Sequence, residues 1–349
     1  MSSGPALAPA EKLIAELESE DFVQGAMRRA EESVKKRAQR RKELFEKPIQ
    51  AKVCVVAWID LLGFSQQMQH VKTDDDLRAA YRKMLFVHEQ FDKVSASDDP
   101  ETQAEINKNY GRTILALSDG VVIAAGLDAA ALVATTPYDL LMSMVGEIIM
   151  AQAHCALDGI FLRGGVSIGQ FYFEEDILLS SGLIRAYKLE TERACYPVIL
   201  ITPEVVAKLR KLPGIKHYAK DYEPSLSYFL PFKSPRQKKG ERFYFLDYLS
   251  YIAHPDNHGF YSTEDRKAWS DRRKKPEERD RIFGESHWKS ALRSLQHHKK
   301  MLIAAYEACS SEKAKAKYRW LMRYHNRTIK RFGSFHEPAL IPLDQFRAK

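Results

Sequence analysis

An α+β fold is what this sequence predicts, on three observations. Short apolar runs rich in β-branched and aromatic residues alternate with helix-length amphipathic stretches from residue 51 to about 250, turn-forming residues punctuate those runs, and both ends of the chain carry helical periodicity. Taken in order, residues 10 to 47 read as helix, with Leu13, Ile14, Leu17, Phe22, Met27 and Val34 forming an intermittent apolar face on a charged remainder. This gives an N-terminal helical arm over 1–50. The next region, 51–250, reads as strand 52–59, helix 74–93, a strand pair around 111–126, helix 137–157, a second strand pair 161–174, helix 182–193, strand 197–202, and strands near 226–232 and 242–248. Beyond Ser262 the period is helical again, and KSALRSLQHHKKMLIAAYEACS and AKYRWLMRYHNRTIKRF form a helical hairpin turning near Ser310 and Ser311, within a C-terminal helical region 251–349.

Composition excludes several classes. With 349 residues and 45% apolar content the chain can build a large core, and no apolar stretch approaches the roughly 20 residues of a membrane span. The first residues lack a basic-then-apolar leader, so the expected location is the cytoplasm. Cys54, Cys155, Cys195 and Cys309 have no paired spacing and read as reduced thiols. Charge is uneven: residues 251–349 hold 22 Lys+Arg against 12 Asp+Glu, within a chain total of +8. A basic tail can bind nucleic acid, but it is more commonly a solvated helix face, and nucleic acid is not an expected partner.

Three stretches carry chemistry. In AWIDLLGFSQ (57–66), Asp60 stands where a buried strand leaves the core, a costly place for a bare carboxylate unless a cation, an arginine or turn amides neutralise it. Gly63 lets the turn approach a ligand; the plainer alternative is that Asp60 caps the helix starting near Phe64. In TILALSDGVVIAAG (113–126), two β-rich runs flank Ser118-Asp119-Gly120, which is hairpin-turn chemistry that again carries an aspartate. If the strand ending at Asp60 lies beside this hairpin, two carboxylates converge on one sheet edge, as a Mg²⁺ or Mn²⁺ site that leaves positions for water and phosphate requires. In FLRGGVSIGQ (161–170), Arg163 enters a strand, Gly164 and Gly165 allow backbone or phosphate to come close, and Gly169 allows a bend. Arg163 reads equally as a strand-end salt bridge, and Glu190 and Arg193 read as surface charges. His254 and His258 share a loop without a third ligand, and Walker, esterase and dinucleotide signatures are missing.

The order of these motifs resembles the class III nucleotidyl cyclases: Asp60-Leu61-Leu62-Gly63-Phe64-Ser65 is similar to their metal-binding turn, Ser118-Asp119 to their second metal site, and RGGVSIG to the strand that follows. With WIDLLGFS, LSDG, RGG and AYKLE together, the likeness is greatest to the pyrimidine cyclases of bacterial Pycsar antiphage systems. The resemblance implies a ferredoxin-like cyclase core in a homodimer with composite sites, a nucleoside triphosphate substrate, two Mn²⁺ or Mg²⁺ ions on Asp60 and Asp119, and β- and γ-phosphates on the amides of Leu61, Leu62, Gly63 and Phe64. It further implies a cyclic UMP or cyclic CMP product read by a cyclic-nucleotide-sensing effector.

The chain also departs from that pattern. At the helix positions where many class III cyclases carry asparagine and arginine, this chain has Ile184 and Lys188, with Arg185 as an alternative cation. At the two positions that read purines in those enzymes, this chain has Leu115 and Ile177. Aliphatic side chains leave the polar edges of adenine or guanine unpaired, at roughly 1–3 kcal/mol per group, so a pyrimidine triphosphate is the expected substrate, UTP ahead of CTP, with Arg112 and Tyr110 as further base-side candidates.

Overall fold

The structure, a computed structural model, describes residues 20–92, 112–127, 140–174, 177–211, 229–233, 235–236 and 239–346. Leu13, Ile14, Leu17 and Tyr110 lie outside the described residues. The chain divides into two compact units, 1–50 and 51–349. Within the first, helix α1 (Glu20–Glu46) presents Met27 and Val34 to solvent.

The second unit is built on an eight-stranded sheet. Strand β1 (Lys52–Leu61) comes first. Helices α2 (Phe64–Gln69) and α3 (Asp74–Asp92) follow, then hairpin β2 (Arg112–Leu117) and β3 (Gly120–Gly126), helix α4 (Leu140–Leu157) and strand β4 (Leu162–Glu174). These strands lie in the order β2-β3-β1-β4 with every neighbour antiparallel. Together with α3 and α4 this is the βαββαβ arrangement of a ferredoxin-like core. Strand β5 (Ile177–Ser180) pairs with the far end of β4, helix α5 (Ser181–Arg193) returns along it, and the sheet continues through β6 (Ile199–Ile201), β8 (Phe243–Leu246) and β7 (Phe229–Phe232), with helix α6 (Pro203–Leu209) between β6 and β7. The expected second strand pair at 161–174 is therefore one long strand, and its hairpin partner lies beyond it.

β1 reads as a continuous apolar run because both of its faces are covered. Val55, Ala57, Ile59 and Leu61 face the large core that includes Val87 and Phe91 of α3 and Val145 and Ile148 of α4. Cys54 and Val56 face a smaller cluster with Val122, Ala124 and Phe171, against which Trp58, Leu115, Leu178 and Leu183 pack. Gly169 makes no bend. It sits mid-strand opposite Cys54, and a Cβ there would lie 2.5 Å from the Gly182 amide nitrogen. Gly165, four residues earlier, would place its Cβ 2.2 Å from the Ala186 carbonyl oxygen. The element that approaches these glycines is α5, through its own small residues Gly182 and Ala186, and Ser167 Oγ donates to Gly182 O at 2.7 Å.

Helices α7 (Tyr248–Ala253), α8 (Thr263–Ser270), α9 (Pro276–Glu307) and α10 (Glu312–Phe332) complete the unit. Leu295, Leu302, Leu321, Met322 and Ile329 belong to the same core as the sheet, so residues on either side of 250 share one interior. The Asp247 carboxylate, fully buried at the start of α7, accepts from Tyr324 Oη at 2.5 Å, Ser250 Oγ at 2.6 Å and Arg331 at 2.7 Å, which fastens α10 to the strand end. No described helix is long and apolar enough to cross a membrane.

Between α9 and α10, His298 and His325 are wholly buried and stacked, with ring centroids 5.0 Å apart. The contacts fit a one-way chain of neutral rings. Tyr248 Oη donates to His298 Nε2 (3.1 Å), His298 Nδ1–H to His325 Nδ1 (3.1 Å), and His325 Nε2–H to the Ala339 carbonyl (3.1 Å). An added proton would set two donors face to face in a dry interior, and burial holds both rings below the usual histidine range, His325 down to about 4. These folded-state values lie below the unfolded value, so the contribution to stability is present above about pH 6.5 and is lost as pH falls toward the folded value. By pH 5 the loss for His325 alone is roughly 2 kcal/mol. The buried acids Asp60, Glu147 and Glu190, whose values are raised, act in the opposite sense. Urea denaturation at pH 7.5 and pH 5 should therefore show a wild-type loss that is flattened in His298→Gln/His325→Gln, and parallel profiles would contradict the neutral relay.

Candidate active site

The register of β1 against β3 sets Asp60 opposite Gly120 and so brings it beside the β2–β3 turn that holds Asp119. Ser118 takes the left-handed conformation (φ 55°) that this tight turn needs, and Leu61 N donates to the Asp119 carbonyl at 3.2 Å, so the first strand end is tied to the turn. Gly120 is required for packing, because a Cβ there would stand 2.5 Å from the Trp58 ring. The two aspartates therefore come together at one end of the strands, with Asp60 on the interior strand β1, and not along the edge of the sheet. Ser65 Oγ, in the first turn of α2, donates to Asp119 Oδ2 at 2.5 Å.

Arg163 lies opposite Asp60 on β4, and its guanidinium donates to Asp60 Oδ2 at 2.9 Å while also pairing with Glu190 of α5. Glu190, read from sequence as a surface charge, is 2% exposed. Helical periodicity carried the missed signal: Glu190 falls four residues after Ala186, on the face of α5 that packs against β4. Burial raises the Glu190 carboxyl to about 7; Arg163 opposes this, while Asp60 and Asp119 add to it. Burial also raises Asp60, again against Arg163. Arg193 is not a free surface charge either, since it bonds Glu241 Oε1 at 3.1 Å and the Arg236 carbonyl at 3.2 Å.

The glycine turn differs from its expected role in part. The Leu61 amide is taken by Asp119 O and the Leu62 amide by Phe161 O (3.0 Å), because both residues still belong to the sheet end, so neither amide is available to a phosphate. Their side chains, with that of Phe64, pack into the core. The Gly63 and Phe64 amides have no acceptor among the described residues. Gly63 has φ 82°, with open space where a side chain would project.

Other sequence candidates are not gathered at this point of the chain. Arg185 donates to the Ile168 carbonyl and lies 3.8 Å from Glu204, and Lys188 is exposed on the same helix. Ile168 is in register with Val55, five residues before Asp60, which is about 17 Å along the strand. Leu115 and Leu178 each pack against the smaller cluster, whereas Ile177 is 58% exposed and, by strand alternation, projects from the face opposite Leu178. Arg112 is buried against Glu147 (3.2 Å) and the Phe91 carbonyl, on the core side of the sheet, so it is not a base-side residue.

As a metal centre, Asp60 and Asp119 offer oxygen donors only, each with Oδ1 unbonded among the described residues. No group of three or more His, Cys, Asp or Glu that could hold a metal occurs among those residues. A two-carboxylate, all-oxygen set fits Mg²⁺ or Mn²⁺, which complete their shells with water and phosphate, and it does not fit a zinc cage.

No protein-family model matches the chain, and no curated protein does. Among solved structures, the adenylyl cyclase CyaB from P. aeruginosa is 15% identical with a TM-score of 0.36, over 58% of this chain and 96% of that one. The catalytic core of a rhodopsin-guanylyl cyclase with converted specificity, in complex with ATPalphaS, is 12% identical with a TM-score of 0.33, over 56% and 96%. The guanylyl cyclase domain of the RhoGC fusion protein from Blastocladiella emersonii is 12% identical with a TM-score of 0.31, over 57% and 98%. At such identities and scores the likeness assigns no activity.

Proposed function

We propose that the chain is a nucleotidyl cyclase that converts a pyrimidine nucleoside triphosphate, UTP ahead of CTP, into the 3′,5′-cyclic monophosphate and pyrophosphate. The observation that carries this reading is the convergence of Asp60 and Asp119 beside the open Gly63 turn, held by the β1–β3 register. When bound, Mg²⁺ or Mn²⁺ on these carboxylates would acidify the ribose 3′-hydroxyl and neutralise charge on the phosphates. The 3′ oxygen then attacks the α-phosphorus and pyrophosphate leaves, so the protein's work is to position and to neutralise. The Gly63 and Phe64 amides point to a phosphate-binding role, and Arg163 fixes Asp60 from across the strand.

Arg185 sits too far along the sheet to serve the same chain's aspartates, and Lys188 is exposed where Glu190, two residues on, is buried, which favours a homodimer in which each site takes its cation from the partner copy. Exposed Ile184 and Tyr187 beside them on α5, at 57% and 50%, give such an interface apolar area. The aliphatic Leu115 supports a pyrimidine, and the choice of UTP, the role as an antiphage messenger and a downstream effector follow from the resemblance of the motifs. A second reading, a nucleotide-binding protein without turnover, draws on Arg163 and Ser65 already occupying one oxygen of each aspartate.

Purified protein with Mn²⁺ and each of the four ribonucleoside triphosphates, with products identified by mass spectrometry, tests the proposal. Cyclic UMP, or cyclic CMP, should be the main product. ATP or GTP turned over as well as either pyrimidine would overturn the base assignment, and binding without turnover would establish the second reading.

A further inference from the structure

One cation within electrostatic reach of Asp60 and Glu190 comes from neither the strands nor α5. Lys317 lies on α10, five residues after its first residue, in a half-buried position. Its helix is anchored to the aspartate-bearing turn by the neighbouring Tyr318, whose ring meets Phe161 edge-on at 5.5 Å, and the Phe161 carbonyl in turn accepts the Leu62 amide. Arg163, which grips Asp60, is two residues beyond Phe161. Lys317 feels the charges of Asp60, Glu190 and Arg163, yet it makes no ion pair within 4.0 Å among the described residues. Asp60 and Glu190 are already served by Arg163, so the ammonium is partly stripped of water without a close anion to offset that. Burial, with Arg163 adding, holds its pKa below the usual lysine range.

A desolvated ammonium beside a bound Arg163 and an open glycine turn lacks one thing, an anion that arrives with the ligand. Resting on the cyclase reading above, we infer that Lys317 binds the β- and γ-phosphates of the substrate, and hence the pyrophosphate product, within the same chain as Asp60 and Asp119. The C-terminal hairpin thereby supplies part of the substrate site, while Arg185 and Lys188 come from the partner copy.

Isothermal titration of sodium pyrophosphate with Mn²⁺ into the full chain tests this, using wild type, Lys317→Ala and Lys317→Arg, with UMP as a ligand that lacks the outer phosphates. Lys317→Ala should weaken pyrophosphate binding at least tenfold and UMP binding less than threefold, with an unchanged melting temperature, and Lys317→Arg should recover most of the loss. Pyrophosphate binding by Lys317→Ala within twofold of wild type overturns the assignment. So does an equal loss for both ligands with a lowered melting temperature, which marks a merely structural lysine. If wild type makes a cyclic nucleotide but the Ala variant keeps its affinity, only this inference falls. A wild type that binds neither pyrophosphate nor UTP removes the cyclase reading with it.

Discussion

Replacing Asp60 or Asp119 by asparagine should lower cyclisation at least about a thousandfold, the scale at which electrostatic stabilisation of a charged transition state is lost. The fold should survive, because asparagine keeps the size of the side chain and can still accept from Arg163 at position 60 or from Ser65 at position 119. Burial of its charge is costly at Asp60, so Asp60→Asn should be neutral to stability while its Mn²⁺ binding collapses. Both readouts come from the same protein preparations, by turnover and by manganese titration. Because Arg185 is about 17 Å from the aspartates of its own chain, mixing Asp60→Asn with Arg185→Ala/Lys188→Ala should restore activity through heterodimers that carry one intact site. Mixed dimers that form and stay inactive would count against a site shared between copies, and an Asp variant with wild-type turnover would remove the two-carboxylate centre altogether.

The second large effect concerns stability. Gly165→Ala should cost about 3 kcal/mol or more, above the ordinary range for overpacking, because the new methyl meets a backbone carbonyl at 2.2 Å and neither β4 nor α5 can yield alone. Moving α5 also moves Glu190 from Arg163, so activity should fall with the melting temperature. Gly63→Ala is the instructive contrast. It has open space around it, and its cost should be about 1–2 kcal/mol, from the left-handed backbone only. Thermal unfolding of the two variants side by side separates collision from backbone strain, and similar losses would contradict the close seating of α5.

Much of this was legible in the residues. The period-two and helical patterns placed β1, α3, the β2–β3 hairpin, α5 and the turn of the C-terminal hairpin within a few residues of their positions, since each is a local signal, whereas α9 starts at Pro276, well ahead of the stretch read from sequence. The convergence of Asp60 and Asp119 was legible because turn chemistry and strand ends both marked the same end of the sheet. What escaped was long-range. RGGVSIG gave no sign that its glycines seat a helix and not a ligand, because the partner residues Gly182 and Ala186 lie beyond the next hairpin. Glu190 looked solvated until α5 was laid on β4, and Lys317 lies more than 250 residues from Asp60, with no motif to connect them. Ile177 missed its expected role by one residue, which is enough in a strand to change faces, and it is Leu178 that packs against the smaller cluster.

The Asp247 carboxylate bears on the order in which the chain is made. A ribosome releases residues 51–250 well before α10, so during synthesis this buried acid has Ser250 close by but neither Tyr324 nor Arg331. Until α10 arrives, the strand end at β8 holds an anion that prefers water, and the sheet's large core is open where Leu321, Met322 and Ile329 will close it. The nascent chain therefore has reason to stay loose on that side, and a recombinant fragment cut near 250 would be fixed permanently in that unfinished state.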